Sequence, residues 1–145
     1  MKIVIASDHA GFRLKNVLKE YFSDIEFIDV GTYSEEPCDY PDYALLACEK
    51  VISKEADFGI VICGTGIGIS IAANKVKGVR AALCFNEFMA EVSRKHNNAN
   101  VLSLGARVLD DDLAIKITET WLKSEFEEEE RHIRRVQKIE KIELL

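Results

Sequence analysis

With 145 residues, the chain has the length of one domain and can bury a core without disulfide or metal staples. Its 48% hydrophobic and 30% charged residues fit a globular protein, and a formal net charge of −6 excludes the broad basic surface that non-specific nucleic-acid binding needs. No apolar run approaches the roughly 20 residues of a membrane span, and "MKIVIASDHAGF" lacks the apolar core and cleavage site of a secretory leader, so a cytoplasmic protein with no membrane partner is expected.

Along the chain, strand-like runs alternate with helical patterns. "KIVIAS" (2–7) is a β-branched run without polar alternation, the signature of a parallel strand covered on both faces. "SDHAGF" follows and delivers Asp8 and His9 just before the helix "FRLKNVLKEYF" (12–22); Asp8 alone also suits an N-cap. A second strand, "IEFIDV" (25–30), leads into "GTYSEEPCDYPDY" (31–43), the one long loop, which holds both prolines. Long loops in compact domains are often functional. The helix "DYALLACEKVIS" (42–53) comes next, then the strand "FGIVIC" (58–63) and the helical "GISIAANKV" (68–76). "VRAALC" (79–84), "NEFMAEVSRKHN" (86–97), "NVLSLG" (100–105) and "DDLAIKITETWLKSEF" (111–126) continue the rhythm. In the tail, Ile133, Val136, Ile139 and Ile142 recur at near-helical spacing, which predicts an extra helix that packs on its own domain or crosses to a partner chain.

This order implies an α/β fold: a three-layer α/β/α sandwich around a five-stranded, parallel, doubly wound, Rossmann-like sheet, plus a C-terminal helix. The chain reads as one domain over residues 1–145, with 127–145 a helical extension.

The chemistry concentrates in "VICGTGIGISIAANK" (61–75). A dinucleotide fingerprint fails, because Ile69 stands where GxGxxG needs its last glycine, and a P-loop fails because no GxxxxGK[ST] is present. What remains is a glycine turn opening a helix, whose free N–H groups attract negative charge; the same glycines also fit a plain tight turn. Cys63 shifts the balance, since a thiol beside a helix N-terminus becomes a usable base or nucleophile. The other cysteines, 38, 48 and 84, show neither CxxC pairing nor zinc spacing, and Cys48 and Cys84 read as core residues. A flavodoxin-like strand order would set the ends of the first and third strands beside one crevice, bringing Asp8 and His9 to Cys63. His96 and Asn97 end the fourth helix, and Arg107 follows the fifth strand. Arg131 and Arg135 lie four apart on one helical face, a local basic group suited to an anion or simply a solvated face.

The set "SDHAGF", "GTYSEEPCDYPDYA", "ICGTGIGISIAANK", "SRKHNNANVLSLGARV" and "RHIRRV" resembles the ribose-5-phosphate isomerase B family, which is shared with the galactose-6-phosphate isomerase subunits, from Lys2 to about Val136. The resemblance implies a metal-free, cofactor-free aldose–ketose isomerase acting on ribose 5-phosphate and ribulose 5-phosphate. In it Cys63 would be the base, His96 the acid that opens the furanose ring, Asp8 its ring-side partner and Thr65 a hydrogen-bonding group near the enediolate. The amides of Gly64, Thr65, Gly66, Ile67 and Gly68 would hold substrate oxygens, with Asn97 donating to the same region. His9, Arg107, Arg131 and Arg135 would meet the phosphate, and Tyr43 would lie beside the sugar. The family's habit implies a homodimer, or a tetramer built from it, with each site at the subunit interface. The acidic run Glu127 to Glu130 departs from the family's pattern, which is shorter and richer in glycine there. Competing readings are a hexose 6-phosphate (allose or galactose 6-phosphate) isomerase and a non-catalytic sugar-phosphate-binding module. A thiol redox protein is weaker, because Cys63 has no resolving cysteine near it in sequence.

Overall fold

A computed structural model describes residues 1–145. Its elements in chain order are β1 (Lys2–Ser7), α1 (Phe12–Tyr21), β2 (Glu26–Asp29), α2 (Tyr40–Ile52), β3 (Phe58–Cys63), α3 (Ile67–Ala73), β4 (Ala81–Leu83), α4 (Glu87–Lys95), β5 (Val101–Gly105), α5 (Asp111–Lys123) and α6 (Glu130–Ile142). The five strands form one parallel sheet in the order β2-β1-β3-β5-β4.

Alternation along the strands builds two cores. Ile3, Ile5, Ile60, Ile62, Leu102 and Leu104 pack against Leu14 and Leu18 of α1, Ala90 of α4, and Ile117 and Trp121 of α5. Val4, Ala6, Val61, Cys63 and Val101 face the other way, onto Ala47, Cys48 and Val51 of α2 and Ile69 and Ala73 of α3. Burial on both faces is why these strands carry unbroken apolar runs.

The flavodoxin-like neighbours β2, β1 and β3 are present, and the order of the last two strands, open from the sequence, places β5 between β3 and β4. As an edge strand pairing only with β5, β4 spans three residues rather than the expected 79–84. No helix is long and apolar enough to cross a membrane.

Candidate active site

Parallel register sets the ends of three strands side by side. Ser7 pairs with Ile62, and Cys63 pairs with Gly105, so the segments leaving β1, β3 and β5 emerge at one edge of the sheet. They enclose a cavity of about 400 Å³ lined by Asp8, Tyr40, Cys63, Gly64, Thr65, Ile67, Gly68 and Arg107. Ligands of open parallel sheets bind at this carboxyl edge.

Cys63 is only 4% exposed, yet it reaches this cavity. Its Sγ accepts the Gly66 N–H at 3.2 Å. That bond needs the turn to reverse at Gly66, whose φ is +78°; a Cβ there would lie 2.5 Å from Leu83 Cδ1 and 2.9 Å from the Leu104 carbonyl carbon. Gly105 is required for the same reason, since a Cβ on it would collide with the Thr65 carbonyl. Thr65 Oγ1 accepts the Ile67 N–H at 3.1 Å. The N–H groups of Gly64, Thr65 and Gly68 have no acceptor within the chain. The turn therefore offers several unclaimed backbone donors around one sulfur.

Asp8 is buried and lines the cavity; its Oδ1 accepts the Gly11 N–H at 3.1 Å, which braces the turn before α1, but the N-cap of that helix is Gly11 and not Asp8 as the sequence suggests. His9 Nδ1 accepts the Cys38 N–H at 3.2 Å, which leaves the proton of a neutral ring on Nε2. The exposed Arg107 side chain lies along Gly64 and has no carboxylate partner. Tyr43 is the aromatic residue that the family resemblance puts beside the sugar. In the structure its ring packs against Gly31 and the α2 core, and the aromatic residue lining the cavity is Tyr40, which lies over Gly68.

The remaining candidates stand at the opposite edge of the sheet. His96 caps the C-terminus of α4 and Val101 begins β5, whereas Cys63 is level with Gly105 at the far end of that strand. The four rises from Val101 to Gly105, at about 3.3 Å each, set these two levels about 13 Å apart. Arg94 holds this end of α4: its buried guanidinium lies 4.4 Å over the Phe58 ring, 5.2 Å over Trp121, and donates to the Ala99 carbonyl. Asn97 is exposed and opens onto a groove of about 470 Å³ shared with Ile139 and Ile142 of α6. Arg131 and Arg135 are exposed on α6; Arg131 pairs with Glu129, and Arg135 has no carboxylate partner.

The candidate residues of one chain thus fall into two groups. Asp8, His9, the Cys63–Gly68 turn and Arg107 occupy the carboxyl edge, and His96, Asn97, Arg131 and Arg135 occupy the amino edge.

Two residues that the sequence reading did not single out belong to these groups. Tyr40 shares the segment "DYPDY" with Tyr43, and its aromatic type was its only signal. His132 is buried, and its ring stacks on that of His96 with centroids 4.4 Å apart and planes 12° apart. It lies four residues before the buried Val136, so the near-helical spacing of the tail extends to it. Burial, Arg131 and His96 hold the His132 imidazole below the usual histidine range, against the opposing pull of Glu129 and Glu127. By contrast, the buried Cys48 and Cys84 are pushed by desolvation up to about 12 and about 11, where a thiol is inert.

The loop beside the carboxyl-edge group is tied to α1 by charge. The Lys15 ammonium, with no exposed surface, donates to Asp29 Oδ1 at 2.8 Å and to the Thr32 carbonyl, and Lys19 donates to Asp29 Oδ2 at 2.8 Å. Burial would raise the Asp29 carboxyl, but hydrogen bonds from Lys15, Lys19 and the Gly31 N–H outweigh it and hold it below the usual carboxylate range.

Comparison with known proteins gives a consistent picture. The profile of a family described as Ribose/Galactose Isomerase matches residues 3–139. The chain is 46% identical over 144 residues to ribose-5-phosphate isomerase B of Escherichia coli K12, covering 98% of this chain and 96% of that one. The solved structure of Clostridium thermocellum ribose-5-phosphate isomerase B superposes with a TM-score of 0.97 at 55% identity, covering 99% of this chain and 98% of that one. The Mycoplasma genitalium ribose-5-phosphate isomerase B, solved with bound ribulose-5-phosphate, superposes with a TM-score of 0.92 at 46% identity, covering 99% and 96%.

Proposed function

The chain belongs to the ribose/galactose isomerase family, and from that premise we propose that it interconverts ribose 5-phosphate and ribulose 5-phosphate in the cytoplasm through an enediolate. The observation that carries this reading is the Cys63 sulfur, held at 3.2 Å from the Gly66 N–H among the unclaimed N–H groups of Gly64, Thr65 and Gly68. In the open-chain aldose, the Cys63 thiolate takes the proton from C2. The C1 carbonyl oxygen becomes the enediolate oxygen; it then takes up a proton as the C2 hydroxyl gives one up, and the same thiol returns its proton to C1, leaving a hydroxyl on C1 and a ketone at C2. Preorganised N–H donors facing that oxygen contribute about 3–4 kcal/mol each. A base matched to the working pH adds roughly 10²–10⁴-fold. No metal is required for these steps.

His96 serves as the ring-opening acid with Asp8 across the sugar, and Asn97 donates to the substrate nearby. His9, Arg107, Arg131 and Arg135 hold the phosphate, fixing the reacting carbons against the sulfur. Because His96 and Cys63 stand at opposite sheet edges of one chain, each complete site combines the carboxyl-edge group of one copy with the amino-edge group of another. A two-fold homodimer builds two such sites. Support comes from the surface beside the cavity: Ile67 and Ile71 on α3 are 50% and 56% exposed, and Leu45 on the neighbouring α2 is 49% exposed, an apolar face suited to a second copy.

The test is turnover of ribose 5-phosphate in deuterated water with a chelator present. Ketose carrying deuterium at C1 is expected, with Cys63→Ala losing turnover and keeping calorimetric binding of the sugar phosphate. Activity abolished by the chelator, or retained by Cys63→Ala, would overturn the mechanism.

A further inference from the structure

The acidic run before α6 has no part in the isomerase reading, yet the fold brings one of its carboxylates to the stacked histidines. The Glu127 N–H donates to the Lys95 carbonyl at 3.0 Å, which fastens the loop to the end of α4 immediately before His96. The loop turns again through the Glu129 N–H, which donates to the Glu127 carbonyl at 2.8 Å, and His132 follows in the first turn of α6. One ligand atom from each of His96, Glu127 and His132 lies within 4.8 Å of the others. His132 Nε2 stands 3.9 Å from Glu127 Oε2. His132 is 4% exposed, and its Nε2 is buried with no hydrogen-bond partner. A buried ring nitrogen without a partner is costly unless something else satisfies it.

We propose that His96, Glu127 and His132 form a binding site for one divalent transition metal ion of the zinc or cobalt class, and that occupying it withdraws His96 from the sugar-phosphate site. Two imidazoles and a carboxylate, with a water in the fourth position, match the donor set of three-ligand zinc sites. The same set disfavours magnesium and calcium, which take oxygen ligands.

Metal–ligand bonds of about 2.0–2.1 Å place tetrahedral ligand atoms about 3.3 Å apart. The present spacing therefore closes by rotation of His96 and Glu127, the two partly exposed members, around the buried His132. Of the local cations, Arg131 is paired with Glu129 and Lys95 with Glu91. Metal capture stands without the isomerase reading; the effect on turnover rests on it.

Titration of the full chain with Co²⁺ under reducing conditions tests the site. Saturable uptake of one Co²⁺ per chain is expected, with the visible bands of a four-coordinate ion, no thiolate-to-cobalt charge-transfer band, and displacement by Zn²⁺. Glu127→Gln should weaken uptake by more than about tenfold, the least that even an outer-shell partner contributes. His132→Asn is the second variant should the first misfold by circular dichroism. In metal-free buffer Glu127→Gln should turn over like the wild type, and Zn²⁺ should inhibit the wild type at concentrations that spare the variant. Absence of saturable uptake, a thiolate band, or unchanged affinity in Glu127→Gln would overturn the site. Full turnover by the metal-saturated wild type would overturn the withdrawal of His96. A chain with no isomerase activity in metal-free buffer but with the predicted cobalt spectrum would refute the reaction and leave the site standing.

Discussion

If each site draws its two halves from different chains, two inactive variants should rescue one another. Cys63→Ala removes the proposed base from the carboxyl edge, and His96→Asn removes the proposed acid from the amino edge. The two positions lie level with opposite ends of β5, about 13 Å apart along the strand, farther than a histidine side chain reaches. A heterodimer of the two variants then contains one site with both groups present and one with neither. Equal amounts refolded together give about half heterodimers, each with one working site of two, so about a quarter of wild-type activity is expected. The assay is ketose formation from ribose 5-phosphate before and after co-refolding, with each variant refolded alone as the control. Activity no higher than the sum of the controls would refute the shared site. It would mean that both groups act within one chain, or that His96 has no part in the reaction.

Other consequences follow from single residues. Gly66→Ala forces a Cβ into the left-handed region, costing about 1–2 kcal/mol before its clash with Leu83 and Leu104, and it pulls the N–H off the sulfur. Both the urea midpoint and kcat should fall, and an unchanged kcat would remove the Gly66 amide from the mechanism. Arg135→Ala should raise KM about tenfold or more with little change in kcat, because a remote charge-assisted contact of about 1.5–3 kcal/mol holds substrate and transition state alike. An unchanged KM would exclude Arg135 from the phosphate group. The native Asp29 carboxyl lies below its unfolded value, so its stabilisation is present above the ordinary carboxylate pKa and is lost as pH falls through the native one. Urea midpoints measured from about pH 5 down to pH 3 should therefore fall more steeply for the wild type than for Asp29→Asn. Parallel slopes would dismiss the Lys15–Asp29–Lys19 network as a source of acid sensitivity.

The sheet was legible because strands buried on both faces must be apolar throughout, and the limits of β1 and β3 agree with their β-branched runs. The glycine turn was legible for a local reason: a strand ending in cysteine and followed by alternating glycines presents backbone donors whatever surrounds it. Asp8 and Cys63 could be paired because β1 and β3 are neighbours in both the expected and the observed order. Arg107 is different. Its place beside Gly64 depends on β5 lying next to β3, and an order with β4 in between would have moved it about 5 Å farther away. The choice between Tyr40 and Tyr43 was closed to sequence because both rings leave the same helical turn, and only packing against Gly31 and Gly68 separates them.

The amino-acid sequence by itself determined the order of the elements and the glycine turn with Cys63 at its head, since each depends on residues close together in the chain. Tertiary structure alone decided that His96 lies at the far edge from Cys63, that a buried His132 stacks on it, and that Glu127 joins them. Those relations arise from the direction in which α4 returns along the sheet and from the docking of α6. Both are set by contacts between segments distant in sequence, which no local spacing encodes.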